Sequence, residues 1–133
     1  MPVLLEQINK PAEADWIDLE KIHQDTASNG FLLNRQQLQT WFDQGGWVMA
    51  GRFNDRLIGA LLAKQTEQGI ELSQAGVRTI TQRRGVMHQL MHFITHWAKE
   101  NQKTLYIAEC PKHLEAALLK RGFELSGSTL LYQ

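Results

Sequence analysis

Two turn signals cut residues 47–79 into three strand-like runs, and that spacing constrains the fold more than any other feature of the chain. WVMAGRF and RLIGALLAK flank Asn54-Asp55, a pair that tolerates the left-handed backbone of a tight hairpin. Gln68-Gly69 then leads into IELSQAGVRT (70–79), so three antiparallel neighbours in a meander are expected. The stretch TQRRGVMHQLMHFITHW (81–97) follows directly. Its helix should run from about Gly85 to Glu100, with Asn101 as a stop. TLYIAE (104–109) then reads as a short buried strand, completing a β-α-β unit.

The flanks extend this pattern. VLLEQI (3–8) is a first strand. KPAEADWIDLEKIHQD follows as an amphipathic helix: Pro11 takes the first helical position, acids fill the first turn, and Trp16, Leu19, Ile22 and His23 keep helical spacing. Asn34 is a suitable N-cap for RQQLQTWF. PKHLEAALLKRG is a helix with proline at its start and Gly122 past its end, and FELSGSTLLYQ supplies a closing strand pair. The expected order is β-α-α-β-β-β-α-β-α-β-β. That describes an α/β (α+β) chain, residues 1–133 as one domain, with a mixed, mostly antiparallel sheet flanked by helices.

Composition narrows the function classes. The 133 residues are 43% hydrophobic and 21% charged, which suits a packed core rather than disorder. Fourteen basic and fourteen acidic residues cancel, so no global field favours nucleic acid or an acidic membrane. The charge is uneven: residues 1–34 hold six acids and two lysines, net −4, leaving +4 for the remainder. Cys110 is the one cysteine; it excludes an intrachain disulfide and a cysteine-based zinc cage, and suits a reducing cytosol. The N-terminus shows neither a signal-peptide pattern nor a membrane span, so a cytoplasmic location is expected.

The loop before the long helix carries the chemistry. A helix start presents unpaired N–H groups and the positive end of the peptide dipoles, and glycine lets an anion approach them. Gln82, Arg83, Arg84, Gly85 and Val86 combine these features, and Arg78 adds a third cation nearby. A bound pyrophosphate is one reading; a solvated basic loop that caps a helix is the other.

Residues 77–87, VRTITQRRGVM, resemble the Arg/Gln-x-x-Gly-x-Gly/Ala motif of the GNAT acetyltransferases. EAALLKRGFEL (115–125) resembles their second landmark, a helix ending in Gly-Phe. The element order is similar over nearly the whole chain. The resemblance implies acetyl-CoA (or CoA) as cofactor, with Ala75, Gly76 and Val77 along its pantetheine arm. Thr81, Gln82, Arg83, Arg84, Gly85, Val86, Met87 and His88 would surround its phosphates. DWIDLEKI, AGRFNDRLIGA and VRTITQRRGV are similar, more narrowly, to the PanZ/PanM branch, small GNAT-like maturation factors of aspartate 1-decarboxylase. That branch implies a regulator that binds acetyl-CoA and docks on the aspartate 1-decarboxylase precursor. The alternative is an active N-acetyltransferase acting on an amine.

Departures from the family pattern bear on catalysis. Met87 stands where the motif ends in a small residue, and its side chain is expected on the core side of the helix. Leu118 occupies the position where many GNAT enzymes carry a general-acid tyrosine, and neither Tyr106 nor Tyr132 replaces it. Amine acetylation also needs a base; Glu71 and Glu109 are the carboxylates on the flanking strands, and Glu109, near a strand end, is the candidate. His88, His92 and His96 share one helical stripe, where adjacent pairs have zinc-ligand spacing. They fall outside the apolar arc of Val86, Leu90, Phe93, Ile94 and Trp97, beside Gln89 and Thr95, so a solvated face is expected and no metal. Arg52, Phe53 and Asn54 on the hairpin are the candidate partner contacts; the alternative packs Phe53 inward.

Overall fold

The computed structural model describes residues 3–26, 30–79, 85–108, 112–127 and 129–133. Its strands are β1 (Leu4–Ile8), β2 (Trp47–Phe53), β3 (Arg56–Thr66), β4 (Gly69–Val77), β5 (Leu105–Ile107), β6 (Glu124–Ser126) and β7 (Thr129–Tyr132). The helices are α1 (Glu13–Thr26), α2 (Arg35–Asp43), α3 (Val86–Glu100) and α4 (Lys112–Lys120). One seven-stranded sheet runs β1-β2-β3-β4-β5-β7-β6. Among the described residues only the β4–β5 pair is parallel. The expected fold class and element order are borne out.

Local chemistry explains the elements. Asn54 (φ 49°) and Asp55 (φ 65°) both adopt left-handed backbone, and Phe53 pairs with Arg56 across them. This is the mirror-type turn whose twist matches two antiparallel strands. At α2 the Asn34 side chain accepts from the Gln37 N–H at 2.9 Å, and the Gln37 side chain accepts from the Asn34 N–H at 3.0 Å, a reciprocal capping box. α1 begins later than expected: the Trp16 N–H bonds the Ala12 carbonyl at 2.9 Å. Pro11 therefore precedes the cap, and Glu13 and Asp15 occupy the first turn, where the helix dipole favours carboxylates.

Helices cover both faces of the sheet. α1 and α2 pack with Val48, Ala50, Ala60 and Leu62 around Trp16, Leu19, Ile22, Phe31 and Leu38. α3 and α4 pack with Met49, Leu61, Ala63 and Leu72 around Val86, Leu90, Ile94 and Leu118. A strand covered on both sides needs apolar residues at successive positions, which is why β3 reads RLIGALLAK. Two glycines let α3 lie close to the sheet. A Cβ on Gly51 would stand 2.7 Å from Val3 Cγ1 and 2.9 Å from Leu90 Cδ2; one on Gly59 would stand 3.2 Å from Val86 Cγ1. The first turns of α3 are thereby seated on β2 and β3. Among the described residues, no helix is long and apolar enough to cross a membrane.

Candidate functional site

β4 and β5 pair only at Ile70–Leu105 and Glu71–Tyr106. From Leu72 onward β3 is the only strand partner of β4 among the described residues, so among these residues the side of β4 that β5 covers at its start has no strand beside it along its second half. β4 also carries a bulge there. Leu62 pairs with Ser73 and Ala60 with Gly76, leaving Gln74 and Ala75 opposite Leu61, with Gln74 at φ 51°. Gly76 inside an otherwise strand-like run was the available signal for this bulge. The loop after α1 pins it: the Gln74 side chain accepts from the Leu32 N–H at 3.2 Å, and Thr26 Oγ1 accepts from the Phe31 N–H at 2.9 Å. A Cβ on Gly76 would stand 2.6 Å from Thr26 Oγ1. Ala75 is exposed, Gly76 buried and Val77 half-buried.

α3 opens at the same end of the sheet. Gly85 is its N-cap, with left-handed backbone (φ 73°, ψ 20°) and no side-chain cap hydrogen bond. The first intrahelical bond runs from the Gln89 N–H to the Gly85 carbonyl at 2.9 Å. The N–H groups of Val86, Met87 and His88 therefore precede the helical ladder and carry the positive end of the helix dipole. Among the described residues, nothing beyond its chain neighbours and its own helix backbone lies within 4 Å of where a Gly85 Cβ would project. Val86 is buried, Met87 packs against the core, and His88 is exposed. Thr81, Gln82, Arg83 and Arg84 lie outside the described residues, as do Glu109 and Cys110.

Arg78 and Thr79 follow the end of β4. Arg78 Nε donates to Asp25 Oδ2 at 2.8 Å, and the Thr79 N–H donates to the same oxygen at 2.9 Å. The Thr79 N–H and then Arg78 hold the Asp25 carboxyl below its usual range, against the opposing effect of burial. Arg78 thus ties the strand exit to α1. Sequence spacing offers no signal for a pair 53 residues apart.

The groups considered for proton transfer sit as follows. Leu118 is buried with Phe123 in the α3/α4 core, and its carbonyl accepts from the Phe123 N–H at 3.2 Å. Tyr106 is buried, its hydroxyl 2.8 Å from Thr66 Oγ1. The Tyr132 ring lies 5.4 Å from that of Phe123. Glu71 is half-buried on β4, opposite Tyr106.

On the β2–β3 hairpin, Arg52 is half-buried. It pairs through Nε with Glu6, donates from Nη2 to both Asp15 oxygens at 3.1 Å, and from Nη1 to the Asp55 carbonyl at 3.0 Å. It clasps β1, α1 and the turn together. Phe53 packs against the α3/α4 core, and Asn54 is exposed at the tip. On α3 the buried set is Val86, Leu90, Met91, Ile94, Thr95 and Ala98, while Phe93 and Trp97 are half-buried. The apolar arc is therefore rotated from the expected one. Thr95 tolerates burial because its hydroxyl donates to the Met91 carbonyl at 3.0 Å. The His92 and His96 rings lie 4.6 Å apart, and His88 Nδ1 accepts from Arg121 Nη2. Among the described residues no group of three or more His, Cys, Asp or Glu is arranged to hold a metal ion.

Comparison with known proteins follows the same lines. The model of the PanZ acetyltransferase (GNAT) domain matches residues 2–127. An N-acetyltransferase from Staphylococcus aureus Mu50 superposes with a TM-score of 0.72 at 14% identity, covering 100% of this chain and 98% of its own. YhhK from E. coli, bound to coenzyme A, gives 0.64 at 20% identity, covering 99% and 98%. The PaiA N-acetyltransferase from Thermoplasma acidophilum, in complex with coenzyme A, gives 0.61 at 13%, covering 98% and 97%. Among curated proteins no match was found.

Proposed function

The chain belongs to the PanZ family of acetyltransferase (GNAT) domains, and we propose that it binds acetyl-CoA and acts as a regulator that docks on the aspartate 1-decarboxylase precursor. The observation that carries the binding is the start of α3: an N-cap glycine in left-handed backbone, three N–H donors ahead of the helical ladder, and, among the described residues, no side chain within 4 Å of where a Gly85 Cβ would project. These residues suit a pyrophosphate, and the second half of β4, with no described strand on that side, suits an amide-bearing arm such as pantetheine. When bound, acetyl-CoA supplies an acyl thioester; the residues around it here hold and orient it.

Regulation is favoured over transfer by the environment of the described side chains. Leu118 has no proton to give, the Tyr106 hydroxyl is engaged with Thr66 at the far end of β3, and the Tyr132 ring packs on Phe123. Purified protein mixed with the decarboxylase precursor should accelerate its self-cleavage with acetyl-CoA present and not without it, as read by mass spectrometry of the fragments. Absent acceleration, with acetyl groups passed to an amine, would instead establish a transferase, and loss of that transfer in Glu109→Gln would point to Glu109 as its base.

Asp25 makes a further prediction. It anchors the exit of β4 at Arg78 and Thr79, so Asp25→Ala should weaken acetyl-CoA binding about tenfold, as that exit loses a charge-assisted tether. Global stability should fall by only about 1 kcal/mol, because the carboxylate is partly exposed and solvent screens it. Calorimetry and thermal unfolding read the two effects separately.

A further inference from the structure

His88, His92 and His96 follow one another at four-residue spacing on α3, yet their rings have different surroundings. A guanidinium only donates, so the contact with Arg121 Nη2 occupies the Nδ1 lone pair of His88. His92 and His96 are exposed. Their ring contacts are with each other and, for His92, with Phe93. Among the described residues neither of these two rings has a hydrogen-bond partner. Their centroids stand 4.6 Å apart, with the planes at 52°.

That separation is the one a shared metal ion requires. An imidazole nitrogen binds a divalent transition ion at about 2.0–2.1 Å, which puts the ring centroid about 3.2 Å from the metal. Two rings at a right angle about the ion then have centroids about 4.5 Å apart, and at the tetrahedral angle about 5.2 Å. The observed 4.6 Å fits the right angle. Rotation about the Cβ–Cγ bond turns the ring nitrogens and leaves the centroid in place, because that axis passes through the ring. Exposed side chains make such rotations freely, so each ring can aim a nitrogen at the shared point while α3 stays as it is.

The two rings form a ridge between two grooves. On the α4 side lie Lys99, Lys120 and Arg121. On the β1 side is a groove of about 370 Å³, where Leu5, Phe93, Trp97 and Glu100 join both histidines and no described lining residue is a lysine or arginine. An ion seated on that second side has a carboxylate near it and the cations across the ridge.

We propose that His92 and His96 form a two-imidazole clasp for a divalent first-row ion of tetragonal preference, Cu²⁺ before Ni²⁺, on the β1 side of α3. Right-angled nitrogen donors suit these ions better than tetrahedral zinc, and water completes the coordination. Two protein ligands suffice for such a clasp, in keeping with the lack of any three-residue metal cluster among the described residues. The proposal stands on the ring geometry and is independent of the acetyl-CoA reading.

Calorimetric titration of untagged protein with NiCl₂, and electron paramagnetic resonance with CuCl₂, test it. The native protein should take up Ni²⁺ saturably, and its Cu²⁺ spectrum should carry hyperfine splitting from two imidazole nitrogens. His92→Gln and His96→Gln should each weaken Ni²⁺ binding about tenfold or more and remove the two-nitrogen pattern. Both positions are exposed, so the variants should unfold at the native temperature. The double variant should be within about twofold of either single one, because a clasp is lost with its first arm. Native protein with no saturable Ni²⁺ binding tighter than about 1 mM overturns the proposal. Single variants that keep the native affinity also overturn it, as do losses that add independently, which mean two rings binding separately.

Discussion

Replacing Gly85 with tryptophan is expected to weaken acetyl-CoA binding by about a hundredfold or more, since every donor at the start of α3 is reached across that residue. The Cβ of any substituent projects into space where no atom of the other described residues lies within 4 Å, so an indole is expected to occupy the approach to the Val86, Met87 and His88 N–H groups. The backbone at φ 73° adds a separate cost, about 1–2 kcal/mol for a residue carrying a Cβ. That cost lowers the unfolding temperature without unfolding the protein. Gly85→Asn separates the two effects: asparagine tolerates left-handed backbone and is small, so it should keep most of the affinity. A Gly85→Trp protein that is folded and binds acetyl-CoA as well as the native chain would show that the phosphates lie elsewhere.

Asp18→Ala should produce the largest loss of stability. The residue is 1% exposed, and its carboxylate accepts from Arg56 Nε at 3.0 Å, Arg56 Nη2 at 2.6 Å and the Leu57 N–H at 3.1 Å. Removing it leaves the Leu57 N–H buried without its acceptor and opens a cavity between α1 and the β2–β3 hairpin. The expected cost is about 2–4 kcal/mol, a fall in unfolding temperature of roughly 10 °C for a domain of this size. Burial alone raises the Asp18 carboxyl, but hydrogen bonds from Arg56 and Leu57 and the charges of Arg56 and Lys21 outweigh it, so the group lies below its usual range. A carboxyl lowered in the folded state adds stability above the unfolded value, about pH 4, and loses it as pH falls through the folded value. The native protein should therefore lose stability on acidification below about pH 4, and Asp18→Ala should lose less over that interval.

What could be read from sequence was governed by local chemistry. Asn54-Asp55 marks its hairpin because few pairs of residues accept two successive left-handed conformations. Asn34 marks the start of α2 because its oxygen reaches the Gln37 N–H three residues on. The α3 limits follow from Gly85 and Asn101, which are its N-cap and C-cap. Most of what escaped was decided by partners far away in the chain. Arg52 reads as an exposed hairpin residue until Glu6 and Asp15, 46 and 37 residues distant, close around it. Thr95 reads as part of the wet face, yet a hydrogen bond to its own helix lets it join the core. Leu118 stands out by sequence as an absent acid, and the fold gives it a positive role as a core contact of Phe123. The histidines suggested zinc-ligand spacing; in space the contact that stands out is between His88 and Arg121, because α4 folds back beside α3.

The central claim is that the start of α3 holds the phosphates of acetyl-CoA. Amide chemical shifts of nitrogen-15-labelled protein, followed through a titration with acetyl-CoA, address it directly. The account predicts the largest shifts at the Gly85, Val86, Met87 and His88 amides, with Ser73 to Val77 on β4 moving next. A saturating titration that leaves those amides unmoved while others shift would contradict it.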